Sequence, residues 1–282
     1  MVSRAESNVL KYFKGKAGSY DLVDTQSYWN FSDELLWYLL EKVAFKALGK
    51  KKFRFLDAGG GTGRWFIKIL ERFPHSSGTI YDLSPHMLAE AEKKLKSKGL
   101  LGRAGVVNGN IKHMTDQKSG TYDLIICFHN VLGFVDDPKA ALKEISRLLR
   151  KGGLFVSVVP NKYHGVYFNI SEGRLAVAEK IAYKNRGTFH DSMPDMDFFT
   201  PDGIKKLYAR SGLPDVRTYG FPVALYPTIK ETTIKESTKS LKDMLTGKTL
   251  VSLRNMEKRL VLNEDAAGRG NNLFVIGRKT VK

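Results

Sequence analysis

The fold is decided by the stretch Phe53-Arg54-Phe55-Leu56-Asp57-Ala58-Gly59-Gly60-Gly61-Thr62-Gly63-Arg64-Trp65. A short apolar run ends at Asp57, a glycine cluster follows, and apolar residues at helical spacing begin at Trp65. This order predicts a strand, a tight turn and a helix, the unit that turns a helix N-terminus toward a nucleotide-like ligand. Glycines suit such a turn because they adopt backbone angles that other residues resist, and because they let a ligand touch the main chain.

The spacing of the glycines narrows the choice of ligand. Gly59, Gly61 and Gly63 read G-x-G-x-G, whereas the dinucleotide fingerprint G-x-G-x-x-G requires a glycine where Arg64 stands. A dinucleotide needs its pyrophosphate at that helix end. The loop, with Asp57 just before it, therefore favours a ligand that carries a cation, and a dehydrogenase is the weakest interpretation.

The stretch resembles the first motif of the class I S-adenosylmethionine-dependent methyltransferases, whose members often read (L/V)-(L/D)-(D/E)-x-G-x-G-x-G. The resemblance implies S-adenosylmethionine as cofactor, S-adenosylhomocysteine as product, and a loop that wraps the methionine part of the cofactor. It also implies an α/β, Rossmann-like fold: a seven-stranded, mostly parallel sheet with helices on both faces and an antiparallel last strand. The cofactor contacts expected in this stretch are Asp57, Ala58, Gly59, Gly61 and Gly63, with Asp57 near the amino group.

A second acidic residue ends the next predicted strand, residues 79–82, and Ser84-Pro85 then begins a helix as N-cap and first-turn proline. Asp82 follows Gly63 by 19 residues, close to the spacing of about 20 expected for a carboxylate that holds ribose hydroxyls. A carboxylate suits this task because it accepts two hydroxyl hydrogen bonds at once. We expect Leu83 and Met87, just beyond it, to contact the cofactor as well.

Two further stretches resemble later motifs of the family. Residues 106–111 resemble a short strand followed by the polar residue that binds the adenine amino group; the family usually has Asp there, and Asn110 is a departure. Ile111 is expected to pack on the adenine ring. Parallel strands end at the ligand-binding edge of such a sheet, so the residues that end the fourth strand should face cofactor or substrate: Phe128, His129 and Asn130. The resemblance covers about residues 50–160.

The chain is expected to divide into four parts. Residues 1–50 form an N-terminal helical cap, in which Ser32 is the predicted N-cap of a helix that ends at Gly49. Residues 51–160 form the cofactor-binding core. Residues 161–199 are too long for an ordinary connection and are interpreted as a substrate lid. Residues 200–282 complete the core, with a helical insertion at about 224–272 around Ile234, Leu241 and Leu245.

Methyl transfer from a sulfonium is an in-line displacement, so the protein mainly orients the acceptor and excludes water. A general base is required only where the acceptor must lose a proton. The candidates are His129 at a strand end and His190 beside Asp191, with His164 as a third, because histidine titrates near neutral pH. Residues expected to line the substrate side are Tyr12, Tyr20, Tyr163, Phe189 and His190. No metal is expected.

Composition limits the function classes. The chain has 46 basic and 29 acidic residues, a net charge of +17, which attracts nucleic acid, anionic membranes or acidic small molecules. One cysteine, Cys127, excludes a disulfide framework and an iron–sulfur cluster held by three cysteines, and with it radical use of S-adenosylmethionine. No apolar run reaches membrane-span length and no secretory signal is apparent, so a cytoplasmic protein is expected.

The residues beyond the core favour one function and leave two alternatives open. We expect methyl transfer to an O, N or C atom of a small-molecule or peptide acceptor, which can be anionic, because the insertions are aromatic and apolar with a few polar groups. The charge keeps a tRNA or rRNA methyltransferase open as an alternative, although no RNA-binding module is recognised. The alternative of another class is a non-catalytic S-adenosylmethionine-binding sensor or scaffold.

Overall fold

The computed structural model describes residues 3–227 and 245–281, and these form nine strands. The strands are β1 Arg54–Ala58, β2 Ser77–Asp82, β3 Ala104–Asn108, β4 Tyr122–Cys127, β5 Leu149–Pro160, β6 Arg186–Gly187, β7 Met196–Asp197, β8 Asp215–Phe221 and β9 Asn272–Arg278.

Seven of these strands form one sheet in the order β3-β2-β1-β4-β5-β9-β8. The pairs from β3 to β5 are parallel, and β9 runs antiparallel to both β5 and β8. The mostly parallel sheet and its antiparallel last strand are therefore confirmed. Strand order reverses between β1 and β4, the switch point outside which ligands bind in open α/β sheets.

Helices cover both faces of the sheet. They are α1 Arg4–Lys14, α2 Ser27–Leu39 with a π-helical continuation Leu40–Phe45, α3 Lys46–Leu48, α4 Arg64–Arg72, α5 Pro85–Ser97, α6 Val131–Phe134, α7 Pro138–Leu148, α8 Lys162–Ser171, α9 Leu175–Lys184, α10 Pro201–Arg210 and α11 Gly247–Leu260. Three 3-10 turns join them: Tyr20–Thr25, Leu101–Arg103 and Glu264–Arg269.

The side chains of each strand alternate between two hydrophobic cores. Phe55 of β1 packs in the core under α2, α4 and α5, and its neighbour Leu56 packs in the core under α7 and α10. Because successive side chains of a strand point to opposite faces, a strand buried on both sides carries apolar residues at consecutive positions. Phe55 and Leu56 are two such residues, and they precede Asp57 and the glycine loop.

One predicted helix end is wrong. Ser32 is not an N-cap: α2 begins at Ser27, and Ser32 lies buried inside it. The cause is that the buried face begins a turn earlier, with Tyr28 and Phe31. Gly49 ends α3 with a left-handed φ of 64°, as predicted.

Residues 161–199 form a small unit of their own, made of α8, α9 and the β6–β7 ribbon around a third cluster with Phe168, Ile181 and Phe198. Of the insertion predicted at about 224–272, Ile234 and Leu241 lie outside the described residues. The described part of that insertion contains α11 and the Glu264–Arg269 turn. Within residues 3–227 and 245–281, no helix is both long enough and apolar enough to span a bilayer.

Candidate functional site

The glycine loop lies between β1 and α4. Gly61 has a φ of 52°, and its N–H donates to Asp82 Oδ2 at 2.9 Å. Gly63 has a φ of 73° and caps α4, where a Cβ would lie 2.9 Å from Ile80 Cδ1. Both positions require glycine, because a side chain would be strained at these angles and would collide with β2 at Gly63.

Asp82 ends β2 with both carboxylate oxygens on backbone donors. Oδ2 accepts from the N–H of Gly61, and Oδ1 accepts from the N–H of Ser84 at 2.8 Å. Each carboxylate oxygen can accept a further hydrogen bond. Burial raises the pKa of Asp82, and these two backbone donors oppose the rise. The side chain is therefore fixed in position while it keeps acceptor capacity for hydroxyl groups.

Asp57 is the second-last residue of β1, directly before Ala58 and the glycine loop, and is only 3% exposed. Burial, and then the negative charge of Asp82, raises the pKa of Asp57 to about 8. The buried carboxylate of Asp57 and the half-buried carboxylate of Asp82 face one cavity and make a site in which a positive charge is favourable.

The first cavity, of about 120 Å³, opens beside this loop. Predicted cofactor contacts that line it are Asp57, Gly59, Gly61, Asp82, Leu83, Met87, Asn110, Ile111, Phe128 and His129. Ala58 is buried within β1 and Gly63 caps α4 behind the lining. Asn130 lines a second, adjacent cavity instead.

Helix α1 lies in the segment predicted as an N-terminal helical cap and covers the first cavity, but sequence reasoning did not single out the α1 residues that line this cavity. Glu6 is 5% exposed and accepts from Asn110 Nδ2 at 2.6 Å and from Lys112 Nζ at 2.8 Å. Val9, Leu10 and Phe13 of the same helix line the cavity. A signal was available in the sequence, since Ser3 and Glu6 form a capping box before an apolar stripe.

The second cavity, of about 150 Å³, shares a wall with the first. Residues that line both are Phe13, Tyr20, Arg64, His129 and Phe134. Of the predicted substrate-side residues, Tyr12, Tyr20 and Phe189 line the second cavity. Tyr163 lies away from it with 56% of its surface exposed, and His190 lies behind Tyr12.

Arg64 stands in the shared wall and ties the glycine-loop helix to the N-terminal segment. Its guanidinium is paired with Asp33 of α2 and with Asp24. Burial by itself would lower the pKa of Arg64, but the two carboxylates outweigh burial and raise it. Arg64 and Asp33 are 7% and 8% exposed, so the pair is a buried connection between the loop and its cover.

The two histidines predicted as bases both make hydrogen bonds through their ring nitrogens, His129 through Nε2 and His190 through both. His129 Nε2 accepts from Trp65 Nε1 at 2.6 Å, and burial lowers the pKa of His129 to about 3. His190 Nε2 lies 3.3 Å from the Tyr12 hydroxyl, and its Nδ1 lies 3.0 Å from Ser192 Oγ. Burial, and then Lys16, lowers the pKa of His190 to about 4.

Asp191 is next to His190 in sequence but does not form a hydrogen bond with its ring. Its exposed carboxylate pairs with Arg174 at 2.7 Å. The positively charged group nearest His190 in the second cavity is Lys16, whose Nζ donates to the Tyr12 hydroxyl at 2.5 Å. Burial lowers the pKa of Lys16. Within residues 3–227 and 245–281, no group of three or more His, Cys, Asp or Glu side chains is arranged to hold a metal ion.

Comparison with known proteins agrees with the geometry. Residues 55–153 match a family described as a methyltransferase domain. The chain is 31% identical over 141 residues to a tRNA 5-carboxymethoxyuridine methyltransferase of Escherichia coli (strain K12), and the match covers 50% of this chain and 52% of that protein. The chain therefore spans about half of the length of the Escherichia coli protein. A match of 32% over 204 residues links it to the uncharacterised MJ0638 of Methanocaldococcus jannaschii, covering 71% of this chain and 77% of that one.

The same fold occurs in a Haemonchus contortus phosphoethanolamine N-methyltransferase, solved with phosphomonomethylethanolamine and S-adenosylhomocysteine. The two share 16% sequence identity at a TM-score of 0.55, over 88% of this chain and 52% of the other.

Proposed function

The chain belongs to the class I S-adenosylmethionine-dependent methyltransferases, and from this we propose that it transfers a methyl group to an O, N or C atom of a small-molecule or peptide acceptor. The cofactor is S-adenosylmethionine. The observation that carries the proposal is the pair of cavities with a common wall, since a methyltransferase needs a donor site that opens directly onto an acceptor site.

The first cavity fits the cofactor. Asp82, held by two backbone N–H groups, has acceptor capacity left for ribose hydroxyls. The left-handed backbone at Gly61 allows close approach of the main chain, and Asp57 offers a buried carboxylate to the amino group of the methionine part. Asn110 and Ile111 are proposed for the adenine end, with Asn110 already oriented by Glu6.

When bound, the cofactor supplies a methyl group activated by its sulfonium charge. The residues of the chain then have two tasks. Those in the common wall orient the acceptor against the donor, and α1, with Phe13 and Glu6, keeps water away. Holding two reactants in line contributes about 7–11 kcal/mol to such reactions. Residues 161–199 contribute His164, Phe189 and Met193 to the second cavity, which supports their role as a substrate lid.

An anionic acceptor is supported by Lys16. It is half-buried in the wall of the second cavity, and the described parts of the chain contain no carboxylate within ion-pair distance of it. A buried cation without a counter-charge is unfavourable. A carboxylate or phosphate on the acceptor would supply the missing charge.

The test is incubation with methyl-deuterated S-adenosylmethionine and a small-molecule extract of the source organism, followed by mass spectrometry for a labelled product. Wild-type protein is expected to label an anionic compound, and Lys16→Met to label it at least tenfold more slowly. Lys14→Met is the matched control, because Lys14 is an exposed lysine at the end of α1, two residues before Lys16. Binding of S-adenosylmethionine with neither S-adenosylhomocysteine nor a labelled product formed would refute the proposed function and favour a non-catalytic binding protein.

A tRNA nucleoside is the second candidate acceptor. It is favoured by the likeness to the Escherichia coli tRNA methyltransferase and by the net charge of +17. Binding to nucleic acid weakens steeply with salt as counterions are released. A large fall in affinity for bulk tRNA between 50 and 200 mM salt, with labelled methyl in the RNA, would support it, and salt-independent weak binding would exclude it.

A further inference from the structure

The interior histidines of the site differ in what their ring nitrogens contact. His129 accepts from Trp65, and His190 is engaged by Tyr12 and Ser192. His164 Nε2 is buried and has no hydrogen-bond partner in the described structure. The side chain as a whole is only 4% exposed, and it lines the second cavity.

The position of His164 is fixed by its surroundings. It lies in the first turn of α8, whose N-terminus is capped by Asn161. Its ring is packed among aromatic rings, with centroid distances of 5.0 Å to Tyr226 and 6.1 Å to both Phe168 and Phe189. Burial lowers the pKa of His164 to about 4, so the imidazole is neutral at pH 7 and is suited to hydrogen bonding without charge.

A second unpaired group lines the same cavity. Asn130 Oδ1 is buried without a partner in the described structure, at the turn that follows β4. The backbone there is held by the hydrogen bond from Asn130 N–H to the Val158 carbonyl at 3.1 Å and has a φ of 66°. Buried polar groups are nearly always paired, and one left unpaired costs about 1–3 kcal/mol. Two such groups in one cavity indicate that a ligand completes them.

We infer that His164 and Asn130 are specificity-determining residues that hydrogen-bond the methyl acceptor. The inference rests on the proposed function and adds the acceptor's chemistry. Asn130 Oδ1 can only accept, so the acceptor is a compound that presents an N–H or O–H group beside an apolar part that fits the aromatic wall. His164 contacts it through Nε2 as a positioning residue.

The test compares His164→Phe with His164→Gln. Phenylalanine keeps the aromatic packing and removes the ring nitrogens, whereas the glutamine amide restores a polar nitrogen near the Nε2 position. We expect His164→Phe to raise KM for the labelled acceptor at least tenfold with a smaller change in kcat. His164→Gln should recover most of the loss, and the Kd for S-adenosylhomocysteine should be unchanged in both variants.

Asn130→Gly provides an independent variant, because glycine adopts a φ of 66° readily and the change removes the carboxamide side chain without straining the backbone. It should raise KM by a similar factor, and the acceptor's N- or O-methylated analogue, which lacks the polar hydrogen, should bind wild type and Asn130→Gly equally. If His164→Phe and Asn130→Gly both form labelled product with the KM of wild type, the inference is overturned and the proposed function stands. Intact S-adenosylhomocysteine binding without labelled product from wild type would overturn both.

Discussion

The backbone N–H of Gly61 donates to Asp82 Oδ2 at 2.9 Å and so joins the glycine loop to the end of β2. The two residues lie 21 positions apart in sequence, and the parallel pairing of β1 with β2 brings them together. The contact shapes the loop before any ligand arrives, which reduces the ordering that binding requires.

Asp82→Asn should weaken binding of S-adenosylhomocysteine at least tenfold. An amide has one acceptor oxygen, so it cannot accept from Gly61, Ser84 and two ribose hydroxyls together. Isothermal titration calorimetry measures the effect, with Asp215→Asn on the exposed start of β8 as the control. Equal affinity in Asp82→Asn and wild type would remove Asp82 from the cofactor site.

Asp57→Asn should stabilise the ligand-free protein at neutral and alkaline pH. Because the folded-state pKa of about 8 lies above the unfolded value, the stability contributed by the bound proton is full below about pH 4 and is lost as the pH rises to 8. The variant should therefore be more stable than wild type at pH 8.5 and equally stable near pH 4. Urea unfolding at both pH values measures this, and a difference independent of pH would contradict it.

Asp57→Asn should also bind S-adenosylmethionine more weakly, because the variant lacks the carboxylate that pairs with the positively charged amino group of the cofactor. For wild type, affinity should rise with pH up to about 8, since binding favours the ionised form of Asp57. Calorimetry across pH 6 to 9 tests this, and a flat profile in wild type would be the contrary result.

Arg64→Met should destabilise the fold by about 3 kcal/mol, because it leaves Asp33 buried without its main partner. Asp33→Asn in the Arg64→Met background should recover part of the loss, as a double-mutant cycle by urea unfolding would measure. Arg72 lies on the same helix as Arg64 and makes an exposed ion pair with Glu41. Arg72→Met should therefore change stability by no more than about 0.5 kcal/mol. Equal effects of Arg64→Met and Arg72→Met would contradict the buried connection.

His129 should remain neutral at pH 5 and should contribute no titration to the pH profile of methyl transfer. The cause is burial together with the bond that Trp65 donates to Nε2. Nitrogen-15 spectra of histidine-labelled protein measure its charge, with the exposed His75 as reference in the same sample. Protonation of His129 near pH 6.5 would restore it as a candidate base.

The cofactor side of the site was predictable because each residue follows a local pattern. Asp57 and Asp82 each end an apolar strand, and parallel strands bring their ends to one edge of the sheet. Gly61 and Gly63 stand where the turn needs left-handed angles. These features depend on a few neighbouring residues and on the general geometry of parallel sheets, so the sequence carries them.

The cover over the first cavity and the acceptor side depend on contacts between distant segments. Glu6 meets Asn110 across 104 positions and Arg64 meets Asp24 across 40, and no local pattern encodes how α1 and α2 pack on the core. The sequence favours His190 over His164 as a candidate base, because Asp191 lies beside His190. The structure turns Asp191 toward Arg174, and only three-dimensional packing reveals which ring nitrogens are free.

The crystal structure of the protein with S-adenosylhomocysteine tests the central claim, that the two cavities are the donor and acceptor halves of one site. We predict the ribose hydroxyls on Asp82 and the cofactor sulfur at the common wall, facing the second cavity between Phe13, Arg64 and His129. A complex in which Asp82 makes no ribose contact, or in which the sulfur faces away from the second cavity, would contradict the account.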